Sequence, residues 1–349
     1  MNQIRVLVLL IVSILGTSAA LAASSVREIV VPAPSLAGNL VGLPAEQKVA
    51  IYLPPSYATA TTKRYPVVYL LHGIADSYEV WTNAWKVPAM ADAVLSDAGS
   101  REFLIVMPNA GGRFLGSYYS NSPVIGRWED FIADDLVKYV DANFRTLAKK
   151  ESRGVTGHSM GGFGAIRLGM HHPEVFSAVY AISPCCLDMA EDIGWGNPSW
   201  FEALQFTKIE DADQALQQGH FYPVAIIAFA QVITPNAAKP LFADLPIRAE
   251  GHELLPVEPT YTKWMEYFPV AEVPRYRENL RSLRALRIDY GLDDQFAHIP
   301  VTTRRFTDVL AANRVPYAVD VYAGDHRQLV PGRLQSIILP FFERTLEAD

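Results

Sequence analysis

The sequence has very little cysteine: its only two cysteines in 349 residues are the adjacent Cys185 and Cys186. Adjacent cysteines cannot join distant parts of a chain, which excludes a framework of long-range disulfides. They can form only a strained vicinal disulfide or stay as thiols, and we interpret them as two small buried apolar side chains. Stability must then come from a hydrophobic core, and 50% of the residues are hydrophobic.

Concentrated positive charge is also missing. The net charge is −7, and no run of basic residues is longer than a pair such as Lys149 and Lys150, so we expect no nucleic-acid partner. Neither an HExxH motif nor paired CxxC motifs occur, and the adjacent His171 and His172 have no partners at ligand spacing. The sequence therefore predicts no metal site and no cofactor.

The first residues have the three regions of a secretory signal peptide. Arg5 precedes an apolar run over residues 6–15, and residues 20–22 form the small-apolar-small pattern Ala-Leu-Ala. A membrane anchor is the alternative, but a run of about ten residues is too short to span a bilayer at about 1.5 Å per residue. We predict that residues 1–22 are removed and that the protein is secreted or periplasmic without a stable membrane anchor.

Strand-like and helix-like segments alternate along the chain. The segment 48–53, which Pro54 and Pro55 follow, predicts an edge strand because proline cannot donate to a sheet. Short runs rich in β-branched and aromatic residues predict buried strands at 66–71, 103–107, 154–156, 176–182, 285–288 and 317–322. Helical periodicity separates them, as in 128–144, so we predict an α/β fold with a mostly parallel sheet flanked by helices.

This alternation stops for roughly a hundred residues after Pro184. Helical stretches such as 222–232 are mixed there with proline and aromatic residues. A loop of that length without secondary structure is rare in a compact domain. We therefore predict a long, mainly helical cap over residues 187–284, inserted into an α/β core of residues 23–186 and 285–349.

The motif Gly157-His158-Ser159-Met160-Gly161 follows a predicted strand and precedes a helical pattern. A bare GxSxG motif is weak, because it arises by chance in roughly one chain in ten of this length. Its position makes it specific, since a tight strand-to-helix turn that exposes a serine needs small residues on both sides. We predict that Ser159 is a nucleophile.

A serine nucleophile needs an imidazole base, and the imidazole needs a carboxylate that fixes its tautomer. His326 follows the last predicted strand and is our candidate base. The rival is His298, which we expect to open a helix away from that edge of the sheet. Asp293 and Asp294 follow the preceding strand, and we favour Asp294 with Asp293 as the alternative.

Two further groups of residues are candidates for binding. The backbone N–H groups of Met160, next to the nucleophile, and Ile74, in the loop after a predicted strand, are candidates for an oxyanion hole. Three tryptophans of the predicted cap, Trp195, Trp200 and Trp264, are candidates for contact with a sugar or a phenolic acyl group. The alternative of equal weight is that they pack the cap against the core.

Several of these segments resemble the esterase D-type branch of the α/β-hydrolases, which includes feruloyl and acetylxylan esterases, S-formylglutathione hydrolases and mycolyltransferases. The resemblance implies an α/β-hydrolase fold and an aspartate three residues after a glycine, which is Asp294. Many members have an aromatic residue soon after the histidine, where this chain has Arg327 and Gln328. The matching segments are 53–57 (LPPSY), 71–73 (LHG), 157–164 (GHSMGGFG), 291–296 (GLDDQF) and 324–326 (GDH).

The signal-peptide pattern and the triad candidates, together with a resemblance that favours ester substrates, predict a secreted serine esterase that forms an acyl-enzyme on Ser159 from a small-molecule or carbohydrate ester. Two alternatives stay open on the sequence. One is an acyltransferase that uses the same three residues, and the other is a carbohydrate-binding protein whose hydrolase fold has lost catalysis.

Overall fold

The computed structural model describes residues 23–96 and 99–348, so the predicted signal peptide lies outside the described residues. Within them, one eight-stranded sheet forms the centre of the molecule, in the spatial order β1-β2-β4-β3-β5-β6-β7-β8. Its strands are β1 (Ser25–Pro32), β2 (Glu46–Leu53), β3 (Val67–Leu71), β4 (Leu104–Pro108), β5 (Arg153–His158), β6 (Ala178–Ile182), β7 (Ala285–Gly291) and β8 (Ala318–Tyr322).

Every strand pair from β4 to β8 is parallel, whereas β2 runs antiparallel to both β1 and β4. Strands β3, β4, β5 and β6 are buried along their whole length. Parallel strands that are covered on both faces form nearly continuous apolar runs, and such runs indicated most of these strands in the sequence. The predicted mostly parallel sheet is confirmed.

The prediction of an edge strand at 48–53 is wrong. Strand β1 pairs with β2 over its whole length, from Ser25 opposite Leu53 to Pro32 opposite Glu46. Most of β1 is exposed, so its sequence carries little of the apolar signal on which strand prediction depends. The prolines at 54 and 55 end β2 rather than mark a free edge.

Helices cover both faces of the sheet. Among them, the helix after the nucleophile motif starts at Met160, one residue after Ser159. A π-helical segment, Phe131–Leu136, joins two α-helices into the continuous helix predicted over 128–144. The first four α-helices are α1 (Val87–Val94), α2 (Trp128–Asp130), α3 (Val137–Asn143) and α4 (Met160–His171).

The segment between β6 and β7 is mainly helical, as predicted. It contains a two-stranded hairpin, Ile247–Glu250 with Glu253–Pro256. Its helices are α5 (Ser199–Ala203), α6 (Ile209–Gln217), α7 (Phe221–Ile233), α8 (Thr260–Tyr267) and α9 (Pro269–Ser282). Buried side chains of α7 belong to the same hydrophobic cluster as strands β3 and β5, so we keep the division into core and cap at residues 187 and 284 as a proposal.

After β7 the chain returns to the sheet. Helix α10 (His298–Ala312) precedes β8, and the C-terminal helix consists of α11 (Val330–Arg333), a π-helical segment (Leu334–Ile338) and α12 (Leu339–Thr345). In the described ranges, no helix combines the length and the apolar character that crossing a membrane requires.

Short elements complete the fold: 3-10 turns at Pro34–Leu36, Pro55–Ala58, Lys150–Ser152 and Glu191–Ile193, a π-helical turn at Val80–Ala84, and a small hairpin of Asn121–Ser122 with Gly126–Arg127.

The two faces of the sheet have separate hydrophobic cores. Along β3, Val68 and Leu70 face the cluster that includes α1 and the C-terminal helix, while Tyr69 and Leu71 face the cluster that includes α4 and α7. Successive side chains of a strand point to opposite faces, which produces this division. The sheet is therefore fixed from both sides, and its strand ends form a rigid edge.

A buried charge cluster connects α2 to the end of α4. Glu129 accepts hydrogen bonds from His171 at 2.8 Å and from His172 at 3.0 Å, and a guanidinium nitrogen of Arg167 lies 3.6 Å from its other oxygen. Burial alone would raise the pKa of Glu129, but the two histidines and Arg167 hold that pKa below its usual range. Burial alone would lower the pKa values of the two histidines, and Glu129 raises both instead.

These shifts predict a pH dependence of stability. The lowered pKa of Glu129 stabilises the fold at pH values above 4.5, the ordinary pKa of this carboxyl group. The raised pKa values of the two histidines stabilise it at pH values below 6.5, their ordinary pKa. The stability difference between wild type and Glu129→Gln should be largest between these two values. It should shrink as the pH rises through the histidine pKa values of the folded state.

Urea unfolding of both proteins over a pH series from about 5 to about 9 measures this difference. The exposed Glu266→Gln is the control and should track wild type at every pH. A difference between wild type and Glu129→Gln that stays constant over the series would contradict the ionic coupling.

Candidate active site

Ser159 occupies a sharp turn between β5 and α4. Its backbone has φ 57° and ψ −115°, a sparsely populated conformation that costs of order 1–3 kcal/mol. The turn is held by hydrogen bonds from the Ser159 N–H to the carbonyl of Ile182 at 2.9 Å and from the Phe163 N–H to the carbonyl of Ser159 at 3.0 Å. Serine is thus presented at the carboxyl edge of the sheet.

Glycine is required on both sides of this turn because the backbones approach too closely for a side chain. A Cβ atom at Gly161 would collide with the backbone carbonyl of Leu71 in β3, and one at Gly157 would collide with the carbonyl of Gly161. The motif therefore has a steric basis, the close approach of the turn to β3.

The structure brings His326 and Asp294 together. The Nδ1 atom of His326 lies 2.7 Å from Oδ2 of Asp294, and both side chains are almost completely buried. The second carboxylate oxygen of Asp294 accepts the backbone N–H of Phe296 at 2.9 Å. A carboxylate held in this way orients the imidazole and favours the tautomer with the proton on Nδ1.

His326 also lies against the turn that carries Ser159. The Nε2 of His158, the residue before the serine, donates to the backbone carbonyl of His326 at 2.8 Å, and the two rings are 4.4 Å apart. Burial lowers the pKa of His158 well below its usual value, and the nearby His326 lowers it further. His158 is therefore a neutral structural contact between the turn and the loop after β8.

The two other aspartates near the end of β7, Asp289 and Asp293, do not pair with the imidazole of His326. Asp293 is exposed, and its backbone N–H donates to the carbonyl of Gly324 at 3.0 Å. Asp289 is buried inside β7, where it accepts hydrogen bonds from Arg333 at 2.7 Å and Tyr180 at 2.9 Å. Of these three aspartates, only Asp294 forms a hydrogen bond with the imidazole of His326.

The two candidate oxyanion donors lie beside the serine. Met160 is the first residue of α4, and the first N–H groups of a helix have no partner within the helix. Ile74 lines the same pocket as Ser159. Their assignment as an oxyanion hole stays a prediction.

His72 orders the loop that carries Ile74, a role that the sequence did not indicate. Its Nδ1 donates to the carbonyl of Gly73 at 2.8 Å, and its Nε2 accepts the backbone N–H of Ala110 at 2.8 Å. Burial lowers the pKa of His72, which keeps the ring neutral as these two bonds require. In the sequence, the pattern that corresponds to this role is a histidine directly before a glycine at the end of a strand.

A mainly apolar pocket opens at Ser159. Most of its wall comes from the predicted cap and from the segments that flank it. Besides Ile74 and Ser159, it is lined by Tyr118, Cys185, Cys186, Ile193, Phe221, Tyr222, Ala225, Phe229, Phe296 and His298. An apolar pocket with a few polar groups at one end suits the uncharged acyl part of an ester.

The expectation that His298 lies away from the sheet edge is wrong, because this residue lines the pocket. It opens α10 as predicted, but Asp192 in the predicted cap accepts its backbone N–H at 2.7 Å and its Nδ1 at 2.9 Å. Burial alone would lower the pKa of His298, and Asp192 and Cys185 raise it to about 9. The carboxylate partner of His298 is therefore Asp192 and not Asp294.

Both cysteines are buried beside the nucleophile as thiols, and the backbone N–H of Cys185 donates to the carbonyl of Ser159 at 3.2 Å. In the part of the chain that the structure describes, one group of three side chains brings its possible metal-ligand atoms close together. The ligand atoms of Cys185, Cys186 and His298 all lie within 4.8 Å of one another. The sequence did not indicate this group because two members are adjacent and the third is far along the chain.

The three tryptophan candidates do not line the pocket of Ser159. Trp200 and Trp264 are buried and line a second cavity, which shares four lining residues with the first: Ile193, Tyr222, Ala225 and Phe229. Trp195 packs on Trp200 with ring centroids 5.0 Å apart. A role of the tryptophans in substrate binding stays a prediction.

The wall after the histidine is built differently from the pattern of the resembling family. Arg327 lies over the ring of Trp85 at 5.2 Å and pairs with Asp76 at 3.3 Å. The aromatic contact to His326 comes from Phe296, whose ring is 4.9 Å away. Phe296 follows Asp294 by two residues, so one loop supplies both groups.

Comparisons with known proteins identify the family of this chain. The model of the family described as "Putative esterase" matches residues 42–329. Esterase Rv1288 of Mycobacterium tuberculosis is 32% identical over 158 residues, which cover 43% of this chain and 32% of that protein. An endo-1,4-beta-xylanase/feruloyl esterase of Xylanibacter ruminicola is 29% identical over 133 residues, covering 37% of this chain and 18% of that protein. The chain thus spans only a minor part of the length of these relatives.

A solved structure of a ferulic acid esterase has the same fold, with a TM-score of 0.65 and 22% sequence identity over 93% of this chain and 99% of that one. The α/β-hydrolase fold predicted from the sequence is thereby confirmed. Since the family match extends over most of the chain, the protein belongs to this esterase family.

Proposed function

We propose that the protein is a secreted serine esterase in which Ser159, His326 and Asp294 form the catalytic triad. The contact between Asp294 and His326, beside the strained turn of Ser159, is the observation that carries this proposal. The apolar run and Ala-Leu-Ala pattern of residues 1–22 support secretion or a periplasmic location.

The proposed reaction begins when the Oγ atom of Ser159 attacks the ester carbonyl. Nε2 of His326 takes the hydroxyl proton, and Asp294 stabilises the imidazolium that forms. The negative charge on the carbonyl oxygen is stabilised by the N–H groups of Met160 and Ile74. His326 then gives its proton to the leaving alcohol, and water releases the acyl group from Ser159 by the same steps in reverse.

The two adjoining cavities support an acyl site with two parts. In this proposal a short acyl group would occupy the pocket at Ser159, while a bulky one, such as a phenolic acid, would extend past Ala225 towards the cavity lined by Trp200 and Trp264. This assigns the tryptophans to the far end of the acyl group. The substrate class is then a small ester or an acylated carbohydrate whose acyl part is uncharged.

Replacement of the nucleophile tests the chemistry. Ser159→Ala should lower kcat for p-nitrophenyl acetate by several orders of magnitude, to the residual rate that binding and the oxyanion donors leave. Ser177→Ala is the control, because Ser177 is also buried but lies before β6, at the opposite edge of the sheet. A kcat near wild type in a folded Ser159→Ala protein would exclude the proposed nucleophile. Adding a polyol acceptor to the wild-type assay separates acyl transfer from hydrolysis.

The two adjacent aspartates provide a matched test of the acid. Asp294→Asn should lower kcat by about 10⁴-fold, because an amide favours the wrong tautomer of the base, as in the serine protease precedent. Asp293→Asn alters an exposed side chain and should leave kcat within a few fold of wild type. Steady-state kinetics on one ester compares them, and the reverse ranking would assign the role to Asp293.

Narrowing the passage between the cavities tests the acyl site. Ala225→Leu should reduce kcat/KM for a feruloyl ester about 10- to 200-fold relative to an acetyl ester, the range expected for a few methylene groups in an apolar pocket. Ala228→Leu makes the same change on the same buried helix but outside both linings, so it should keep the wild-type ratio. Equal ratios in the two variants would show that bulky acyl groups bind elsewhere.

A further inference from the structure

A second cluster of reactive side chains lies next to Ser159, and the proposed esterase reaction does not use it. It consists of Cys185, Cys186 and His298, each no more than 6% exposed, with ligand atoms within 4.8 Å of one another. All three line the pocket at Ser159, so a small ion reaches them from the same opening as an ester.

The backbone places the two adjacent thiols on one side of the chain. In an extended segment successive side chains point in opposite directions. Cys186 instead has φ 62°, the left-handed region that residues other than glycine seldom adopt. Together with the hydrogen bond from Cys185 to the carbonyl of Ser159, this turn directs both sulfur atoms towards His298.

The imidazole of His298 is oriented as in a metal ligand. Its Nδ1 pairs with Oδ1 of Asp192, and the hydroxyl of Tyr222 donates to the other oxygen of that carboxylate at 2.7 Å. Histidines that bind metal ions usually donate their second ring N–H to a carboxylate in this way. The Nε2 of His298 is buried and has no nitrogen or oxygen partner among the described residues, and the imidazole interacts instead with the thiol of Cys185. The ring thus meets the thiols at close range, with ligand atoms within 4.8 Å of one another.

We propose that Cys185, Cys186 and His298 form a zinc site whose fourth coordination position opens into the pocket of Ser159. Two cysteines and one histidine with an open position are a ligand set that zinc enzymes use. Thiolate ligands select zinc over magnesium and calcium, which prefer oxygen. Binding releases to solvent the two thiol protons and any proton on Nε2 of His298, so that two thiolates balance the charge of Zn²⁺ and a neutral imidazole is the third ligand.

Cobalt provides a direct test in the purified, reduced, metal-free protein. Co²⁺ should bind in a 1:1 ratio and produce a thiolate-to-cobalt charge-transfer absorption, which Zn²⁺ then removes by displacement. Because the chain has no other cysteines, this absorption can come only from Cys185 and Cys186. No ester turnover is measured, so the result is independent of the proposed triad.

Single substitutions distinguish the proposed zinc ligands from Asp192, the carboxylate that orients His298. Cys185→Ser and Cys186→Ser should each weaken the absorption, and the double variant should lose it. His298→Gln should lower zinc affinity in a competition with a chromophoric chelator. Asp192→Asn should lower it about 10- to 100-fold, the usual effect of removing the partner of a metal-bound histidine. The exposed His252→Gln should bind zinc like wild type.

The absence of a charge-transfer absorption in wild-type protein with two titratable thiols would overturn the proposal. A vicinal disulfide that persists under reduction, detected by mass, would also overturn it. Wild-type affinity in His298→Gln would exclude the histidine as a ligand and so the site as proposed. A zinc-dependent rise of Tm in the wild type, expected for a ligand that binds only the folded state, keeps the test valid if a variant fails to fold.

Discussion

The close approach of the turn at Ser159 to strand β3 is the constraint on which the candidate site depends. The carbonyl of Leu71 leaves room for no side chain at Gly161, and the resulting tight turn holds the serine in a strained conformation at the sheet edge. Such strain persists only where the surrounding structure is rigid. The buried parallel strands and the two hydrophobic cores supply that rigidity.

Three histidine and carboxylate contacts show how position decides the role of the same pair of groups. His326 with Asp294 lies against the turn of the serine, which suits proton transfer. His298 with Asp192 faces two thiols in the pocket wall. The cluster around Glu129 lies away from the pocket and joins helices, where its charges contribute to stability. The chemistry of each pair follows from the groups that lie on the side of the imidazole away from its carboxylate partner.

The segment between β6 and β7 links the sheet edge to the pocket. Its helix α7 provides Phe221, Ala225 and Phe229 to the pocket wall, while its Asp192 holds His298 at the start of α10. The chemistry proposed for Ser159 thus depends on the sheet, whereas the size and shape of the acyl site depend on this segment. Differences among relatives in this segment would change which acyl groups fit without altering the turn at Ser159.

The sequence by itself determined the parallel strands, the turn at Ser159 and the esterase family, because continuous apolar runs and flanking glycines are local patterns. Only the tertiary structure decided which of Asp293 and Asp294 faces His326, since neighbouring side chains of a loop can point in different directions. It also placed His298 and the cysteines in the pocket and the tryptophans in the adjoining cavity. These contacts join residues far apart in the chain, and local periodicity carries no information about them.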